Sequence, residues 1–271
     1  MIGAVIGDIV GSRFEFNNHR SKEFELFTDK CEATDDSIMT LCVAKAIMET
    51  SRIYNKKEKE FYPYLEKMTV KYMQEIGRNY PYCGYGGMFQ KWIFSIDPQP
   101  YNSFGNGAAM RISPVGFFAE SEYEVKMLSK SITRVSHNHS EGIKGAETVA
   151  MTVFLAKQGY TKNEIADYIS DNYYTLDFTI DEIRDTYKFN ETCQETVPQA
   201  IEAFLESRSF EDAIRTAVSV GGDSDTLAAI TGAIAEAYYD VPDDIRQKAL
   251  SYLDKTLLQI YNEWYRFQGQ S

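Results

Sequence analysis

The chain has 271 residues, with 28 lysines and arginines against 40 aspartates and glutamates, so its formal net charge is −12. Hydrophobic residues make up 44% and charged residues 25%, which is typical of a globular protein and excludes a disordered or fibrous chain. The acidic balance argues against general nucleic-acid binding, and the absence of any run of about 20 apolar residues predicts that no segment spans a membrane.

Apolar residues recur mostly at helical spacing, so the sequence predicts an all-α protein. The apolar segment 2–10 favours a short buried helix, and Thr34 or Asp35 is suited to cap a second helix that reaches Met48. Pro198 is expected in the first turn of a later helix. The other predicted helices cover 58–76, 122–135, 142–157, 161–173, 210–218, 226–239 and 245–264.

Three segments, 12–33, 78–88 and 97–112, are rich in glycine, asparagine and aromatic residues and are predicted as loops. Loops of that length in a compact domain are usually functional or disordered. Several apolar residues occur between 111 and 118, but Pro114 disfavours a central strand there. No linker, fixed-period repeat or low-complexity tract interrupts the sequence, so we predict one domain over the whole 271-residue chain.

The cysteines and the N-terminal segment bear on the cellular compartment. Cys31, Cys42, Cys83 and Cys193 form no CxxC pair and show no spacing typical of a zinc site or a disulfide framework, so we expect reduced thiols. The apolar N-terminal segment lacks a basic region and is interrupted by Asp8, which disfavours a secretory signal. We therefore expect a cytoplasmic protein, and we take a monomer as the simplest oligomeric state.

Two acidic clusters could bind a cation. The first, TDD at 34–36, and the second, GGDSDT at 221–226, both precede a predicted helix. Hard divalent cations such as Mg²⁺ bind carboxylate oxygens, and Asp223 and Asp225 share one face of an extended segment because they are two residues apart. Asp and Thr are also common N-caps, and acidic first turns complement the helix dipole, so capping alone stays an alternative for both clusters.

The DSDT run at 223–226 permits two other interpretations. An EF-hand loop needs a third oxygen ligand where Leu227 stands, which excludes that motif. A phosphatase with a DxDx[TV] motif would place the threonine one residue after Thr226 and would need a preceding strand. Val218 and Val220 support such a strand poorly, so a phosphatase is the weaker alternative.

Three further features have a possible role in a site. The run GNG at 105–107 could bring backbone N–H groups to a phosphate, although a plain turn is the commoner explanation. His137 and His139 could bind zinc, but the chain has only 3 histidines, and a cap for the helix near Glu141 explains them equally well. Composition alone assigns no role to Glu15, and a surface carboxylate is the default.

Taken together, the motifs form an ordered series along the chain. The series consists of GDxxGxxxE at 7–15, TDD at 34–36, GNGAAMRxxP at 105–114, SHxHxEGIKGAE at 136–147 and GGDSDTLAAI at 221–230. In this order they resemble the ADP-ribosylglycohydrolase family, and the resemblance extends from Met1 to about Tyr239. It implies an all-α fold, a single compact orthogonal helical domain with a binuclear magnesium or manganese centre in a cleft.

The resemblance also implies an activity and a set of residues. The activity is metal-dependent hydrolysis that removes ADP-ribose from a modified protein side chain or small molecule at the anomeric carbon of the ribose, with ADP-ribose as product. The implied ligands of two Mg²⁺ or Mn²⁺ ions are Thr34, Asp35, Asp36, Asp223, Asp225 and Thr226. The implied catalytic carboxylates are Glu15, Asp35 and Asp36, and Glu15 is the first candidate for the general base. The implied substrate-binding residues are Ser103, Gly105, Asn106, Gly107 and His137.

Ser103 marks a departure from part of the family. Some members that act on ADP-ribosyl-arginine carry an acidic residue at this position, so arginine, serine, a nucleic-acid end, O-acetyl-ADP-ribose and other acceptors all stay open. A non-catalytic alternative exists as well, since lens crystallins resemble the family and indicate that its fold can serve as a structural protein or an inactive binder. The presence of both acidic clusters and of Glu15 favours an enzyme.

Overall fold

The N-terminal apolar segment forms a helix that is buried on all sides. The computed structural model describes residues 1–269, and in it every residue of α1 (Ile2–Gly11) is buried. This helix packs along α13 (Ser224–Tyr238) so closely that a Cβ atom added at Gly7 would lie 1.9 Å from the carbonyl oxygen of Ala228. Only a glycine permits such a contact between two helix backbones.

Helices account for all the regular structure of residues 1–269. The other helices are α2 (Asp35–Ser51), α3 (Phe61–Gly77), α4 (Gly87–Phe94), α5 (Gly107–Met110), α6 (Ser113–Phe118), α7 (Glu122–Thr133), α8 (Ser140–Lys157), α9 (Lys162–Asn172), α10 (Ile180–Ile183), α11 (Cys193–Glu206), α12 (Phe210–Val220), α14 (Asp243–Leu250) and α15 (Lys255–Gln268). A 3₁₀ turn, Ser12–Phe14, follows α1, and a lone antiparallel backbone bridge joins Gly105 to Thr192. The predicted all-α fold class is confirmed.

Helix α13 is the element around which the others assemble. Helices α1, α8, α11 and α12 all contact it, and α2 packs against both α1 and α3. The buried hydrophobic side chains form one continuous cluster that extends from Met1 to Trp264. A Cβ atom at Gly11 would lie 2.5 Å from the Cα atom of Asp225, so the end of α1 meets the start of α13. The fold therefore brings the loop after α1 to the second acidic cluster.

Two predicted helices differ from the structure. The helix predicted over 245–264 is wrong as one element, because α14 and α15 are separate and the side chain of Asp254 caps α15 by accepting a hydrogen bond from the backbone N–H of Leu257. Pro198 lies inside α11 rather than in its first turn. Its ring removes one backbone donor from the helix interior, and the helix continues to Glu206 because its apolar face is buried.

Four short helices were not predicted. They are α4, α5, α6 and α10, and they lie in segments whose glycines, prolines and short length hide a helical period. The segment 113–118 forms a helix with Pro114 in its first turn, so the apolar run there belongs to α6. The remaining predicted helices are present, with ends shifted by a few residues. Among the described residues, no helix combines the length and apolarity that crossing a membrane requires.

Candidate active site

A cleft of about 360 Å³ opens where the loop after α1 meets the starts of α2, α5 and α13. Parts of all three segments predicted as loops line it, including Gly84 and the residues 101–107. The predicted site residues that line the cleft are Glu15, Asp35, Asp36, Ser103, Gly105, Asn106, Gly107, His137, Asp223, Asp225 and Thr226. Thr34, the remaining predicted site residue, is buried and does not line the cleft.

The start of α2 is held by a carboxylate from α1. Asp8 is fully buried, and its Oδ2 atom accepts hydrogen bonds from the backbone N–H groups of Thr34 at 2.9 Å and Ser37 at 3.0 Å. The hydroxyl of Thr34 donates to Oδ1 of Asp8 at 2.5 Å, and it accepts a bond from the N–H of Asp36 as the N-cap. The first acidic cluster therefore caps a helix, as one alternative predicted, and is also fixed against α1.

No role was assigned to Asp8 from the sequence, beyond its interruption of an apolar segment. A signal was present, because a carboxylate in a helix that is otherwise apolar has to find partners if the helix is buried. Burial raises the pKa of Asp8 to about 6, although the hydrogen bonds from Ser37 and Thr34 oppose the rise. Those partners are visible only once α1 and α2 are packed together.

The start of α13 depends on two glycines with left-handed backbone. Gly221 has a φ of 76° and Gly222 a φ of 72°, values that side chains with a Cβ rarely adopt. This turn places Asp223 at the N-cap of α13 and Asp225 in its first turn. The hydroxyl of Thr226 donates to Oδ2 of Asp36 at 3.3 Å, so the two acidic clusters lie side by side in the fold.

Five carboxylates converge in two overlapping groups, of which four line the cleft and one, Asp8, lies buried beneath it. The first group is Asp8, Asp36 and Asp225, and the second is Glu15, Asp223 and Asp225. Within each group, one oxygen of each side chain lies within 4.8 Å of the others. Like charges at this separation repel one another unless protons or cations compensate them.

The electrostatics of these groups fit a hard divalent cation. Burial, reinforced by the charge of Asp8, raises the pKa of Asp36 well above its ordinary value, and burial with the charge of Asp223 does the same to Asp225. The Oδ1 atom of Asp36 is buried and has no hydrogen-bond partner among the described residues. An unpartnered carboxylate oxygen among other carboxylates is the kind of ligand that Mg²⁺ or Mn²⁺ takes.

Asp35 lies outside these groups, whereas Glu15 belongs to the second one. The backbone N–H of Asp35 donates to the carbonyl of Cys83 at 2.9 Å, and its partly buried side chain faces Gly84, so it stands at the wall of the cleft. Glu15 follows the 3₁₀ turn and is partly exposed. Burial, and then the charges of Asp223, Asp8 and Glu191, raise the pKa of Glu15 to about 7.

Several polar groups of the loop that carries Gly-Asn-Gly form hydrogen bonds within the protein. The side-chain amide of Asn106 donates to Oδ2 of Asp223 at 2.6 Å and to the hydroxyl of Thr196 at 3.1 Å. The backbone N–H of Gly105 donates to Oγ of Ser103 at 3.1 Å, and that of Asn106 to the carbonyl of Glu191 at 2.7 Å. Asn106 therefore orients a carboxylate of the cleft floor, a contact that the sequence pattern did not suggest.

The two histidines of the segment 136–139 separate in the structure. His139 is the N-cap of α8, and its Nδ1 atom accepts a hydrogen bond from the N–H of Glu141 at 3.1 Å. His137 lines the cleft and is buried.

The segment before Asp223 is helical up to Val220, so the strand that a DxD-type phosphatase needs is absent there.

Comparisons with known proteins place these features in a family. The model of the ADP-ribosylglycohydrolase family matches residues 1–268. The human ADP-ribosylhydrolase ARH3 is 25% identical to this chain, and the match covers 95% of this chain and 90% of ARH3. The ADP-ribosylarginine hydrolase Tri1 of Pseudomonas putida is 26% identical, with 89% of this chain and 70% of Tri1 covered.

The fold has a counterpart among solved structures. A structure described as an ADP-ribosylglycohydrolase-related protein complex superposes with a TM-score of 0.68 and 20% sequence identity. The superposition covers 98% of this chain and 95% of the other, so the whole helical arrangement is shared.

Proposed function

Because the chain belongs to the ADP-ribosylglycohydrolase family, we propose that it is a metal-dependent hydrolase that removes ADP-ribose from a modified protein side chain or small acceptor. The bond broken is the one at the anomeric carbon of the ribose, a reaction that passes through an oxocarbenium-like state. The observation that carries this proposal is the convergence of carboxylates from three separate parts of the chain at the floor of one cleft. A volume of about 360 Å³ suits a small-molecule ligand.

The residues proposed to hold two Mg²⁺ or Mn²⁺ ions are Thr34, Asp35, Asp36, Asp223, Asp225 and Thr226. Support comes from Asp36, Asp223 and Asp225, which belong to the two groups of closely spaced carboxylates. When bound, such ions would supply Lewis-acid chemistry and would lower the pKa of a bound water. Both carboxylate oxygens of Asp8 accept hydrogen bonds from Thr34, so we propose that Asp8 holds Thr34 in place.

Glu15 is the proposed general base. Its carboxylate is the one member of the two groups that is partly exposed, so it can approach a water molecule that enters the cleft. It accepts the proton of that water as the water attacks the anomeric carbon and the bond to the acceptor breaks, and the departing acceptor takes up a proton. Asp35 and Asp36 line the same cleft and are the next candidates for this role. Ser103, Gly105, Asn106, Gly107 and His137 form the wall that we propose binds the ribose and phosphates of the ligand.

The acceptor is the open part of the proposal. Ser103 occupies the position where an acidic residue marks some arginine-specific relatives, and its hydroxyl accepts a hydrogen bond from the N–H of Gly105. A neutral side chain with an internal partner contributes no charge that would select a guanidinium group. The non-catalytic alternative predicts binding of ADP-ribose without turnover.

The test is release of ADP-ribose from a panel of acceptors that includes ADP-ribosylated arginine and serine peptides, a nucleic-acid end and O-acetyl-ADP-ribose. We expect release from at least one of them by the wild-type protein and a loss of at least about 100-fold in Asp225→Asn. Asp177→Asn, an exposed aspartate outside the cleft, serves as the matched control and keeps full activity. Binding of ADP-ribose with no release from any acceptor would favour the non-catalytic alternative.

A further inference from the structure

Three buried polar side chains are joined by hydrogen bonds at one wall of the cleft. They are Arg111, Ser136 and His137, and none of them is more than 4% exposed. The Nη2 atom of Arg111 donates to Oγ of Ser136 at 2.7 Å, and Oγ of Ser136 lies 2.9 Å from Nδ1 of His137. Nη2 of Arg111 also lies 3.4 Å from that same Nδ1 atom.

The chemistry of Arg111, Ser136 and His137 determines which of them donates and which accepts each hydrogen bond. A guanidinium group has donors and no acceptor, so Ser136 must accept from Arg111. The hydroxyl proton of Ser136 is then free to be donated, and Nδ1 of His137 is the neighbour that can accept it. A proton on Nδ1 would face the donor Nη2 of Arg111, and the hydroxyl proton of Ser136 would need a different acceptor. The three side chains satisfy one another best when Nδ1 is bare and Nε2 carries the proton.

The charge of Arg111 also favours a neutral His137 ring with an unprotonated Nδ1 atom. Its guanidinium lies 5.0 Å from the centre of the Phe89 ring, and its Nε and Nη1 atoms have no hydrogen-bond partner among the described residues. Burial, and then the nearby guanidinium, lower the pKa of His137 well below its ordinary value. Arg111 contributes to the lining of the cleft, but its side chain has no exposed surface, and its Nη2 atom contacts Ser136 and His137, so we assign it a role that acts through these two residues.

The other ring nitrogen of His137 faces the Gly-Asn-Gly loop. A Cβ atom at Gly107 would lie 3.4 Å from Nε2 of His137, and one at Gly105 would lie 3.8 Å from it. Both glycines line the cleft, as does His137. The absence of side chains on the two glycines leaves the Nε2–H group open on the side of the cleft.

We propose that Arg111 and Ser136 are positioning residues that hold His137 as the neutral Nε2–H tautomer, so that the cleft wall presents an uncharged hydrogen-bond donor beside Gly105 and Gly107. The tautomer follows from the contacts of the protein alone. Its ligand rests on the proposed function: the matching group is an oxygen that accepts hydrogen bonds, such as a phosphate oxygen of ADP-ribose. A donor without charge binds such an oxygen with a strength that does not change across the neutral pH range.

Nitrogen NMR of the histidine side chains tests the tautomer directly. The chain has only 3 histidines, so the ligand-free protein labelled with ¹⁵N at histidine gives a spectrum that His19→Gln and His139→Gln variants assign. We expect a pyridine-like shift for Nδ1 of His137 and a pyrrole-like shift for Nε2. The reverse pattern, or two averaged shifts, in the wild-type protein would overturn the proposal.

Variants then test the positioning role. Ser136→Ala should give averaged shifts for the two nitrogens, Ser136→Thr should restore the wild-type pattern, and Arg111→Lys should restore it in part. Ser129→Ala removes another fully buried hydroxyl, one that has no hydrogen-bond partner in the described part of the chain, and should leave the pattern unchanged. Wild-type shifts in Ser136→Ala, confirmed as folded by its melting curve, would show that Ser136 does not set the tautomer.

Calorimetry with ADP-ribose tests the ligand. Loss of one neutral hydrogen bond predicts that Ser136→Ala binds ADP-ribose about 2- to 10-fold more weakly than the wild type, while Ser129→Ala binds equally well. Equal affinity of the wild type and of a Ser136→Ala variant with averaged shifts would remove His137 from the ligand contacts. A wild-type protein that binds no ADP-ribose would contradict the proposed function, and the NMR result on the ligand-free protein would still decide the tautomer.

Discussion

With divalent cations removed, the free energy of unfolding should fall as the pH rises from about 4 to about 7, the reverse of what most carboxylates cause. An acid whose pKa is higher in the folded than in the unfolded state stabilises the fold at low pH. That stability is lost as the pH rises through the folded-state pKa. The pKa of Asp8 is raised from 3.8 to about 6, and that of Glu15 from 4.5 to about 7. The window for these two groups therefore runs from about pH 4 to about pH 7.

The size of the effect can be worked from Asp8, which is fully buried. A rise of roughly 2 pKa units corresponds to about 3 kcal/mol, at about 1.4 kcal/mol per unit. Glu15 is partly exposed, so solvent screening reduces its share. Asp36 and Asp225 have raised pKa values as well and act in the same direction.

The assay is urea unfolding at several pH values, with EDTA and with saturating Mg²⁺ or Mn²⁺. We expect the free energy of unfolding to fall with pH in EDTA, and we expect the cations to remove the part of the fall that the cleft carboxylates cause, because they compensate the charges of those carboxylates. Glu202 supplies an internal control, because burial and Glu206 raise its pKa to about 7 outside the cleft. Its contribution should persist with cations and disappear in Glu202→Gln. A metal-free protein whose stability stays flat or rises over this range would refute the reasoning.

Three further substitutions test separate parts of the account. Glu15→Gln should bind cations and ADP-ribose nearly normally but release ADP-ribose at least about 100-fold more slowly, the usual scale for a lost general base, and wild-type turnover would remove Glu15 from the chemistry. Asn106→Ala frees a carboxylate oxygen of Asp223, so calorimetry should show cation affinity weakened by about 10- to 100-fold, and unchanged affinity would mean that Asp223 needs no such support. Gly7→Ala forces a methyl group against the carbonyl of Ala228, so we expect a loss of about 1–3 kcal/mol or more in urea unfolding, and a neutral effect would contradict the close packing of α1 and α13.

The parts of the fold that could be predicted from the sequence depend on local signals. The 3.6-residue period of apolar residues located most of the long helices, and the turn residues located the loops that line the cleft. The break between α14 and α15 was missed because apolar residues continue across it, and the helix start depends on a single cap at Asp254. Pro198 was placed in a first turn by a local preference that burial of α11 overrides.

Only the site residues that belong to contiguous sequence motifs could be predicted. Both acidic clusters were found, because each is a contiguous run of acidic and hydroxyl residues. Asp8 and Arg111 were missed as single residues whose partners are distant in sequence: Asp8 bonds to Thr34, 26 residues away, and Arg111 to Ser136, 25 residues away. The hydrogen bond from Asn106 to Asp223, which lies 117 residues away, likewise forms only after α5 and α13 have packed.

The central claim is that carboxylates of one cleft bind the divalent cations that release of ADP-ribose from its acceptor requires. The most direct measurement is a titration of EDTA-treated wild-type protein with Mg²⁺ or Mn²⁺, followed at once by calorimetry and by release of ADP-ribose from the acceptor that the panel identifies. We predict saturation at two ions per chain, return of activity in step with occupancy, and neither signal in Asp225→Ala. Activity that persists in EDTA, or full cation binding by Asp225→Ala, would contradict the account.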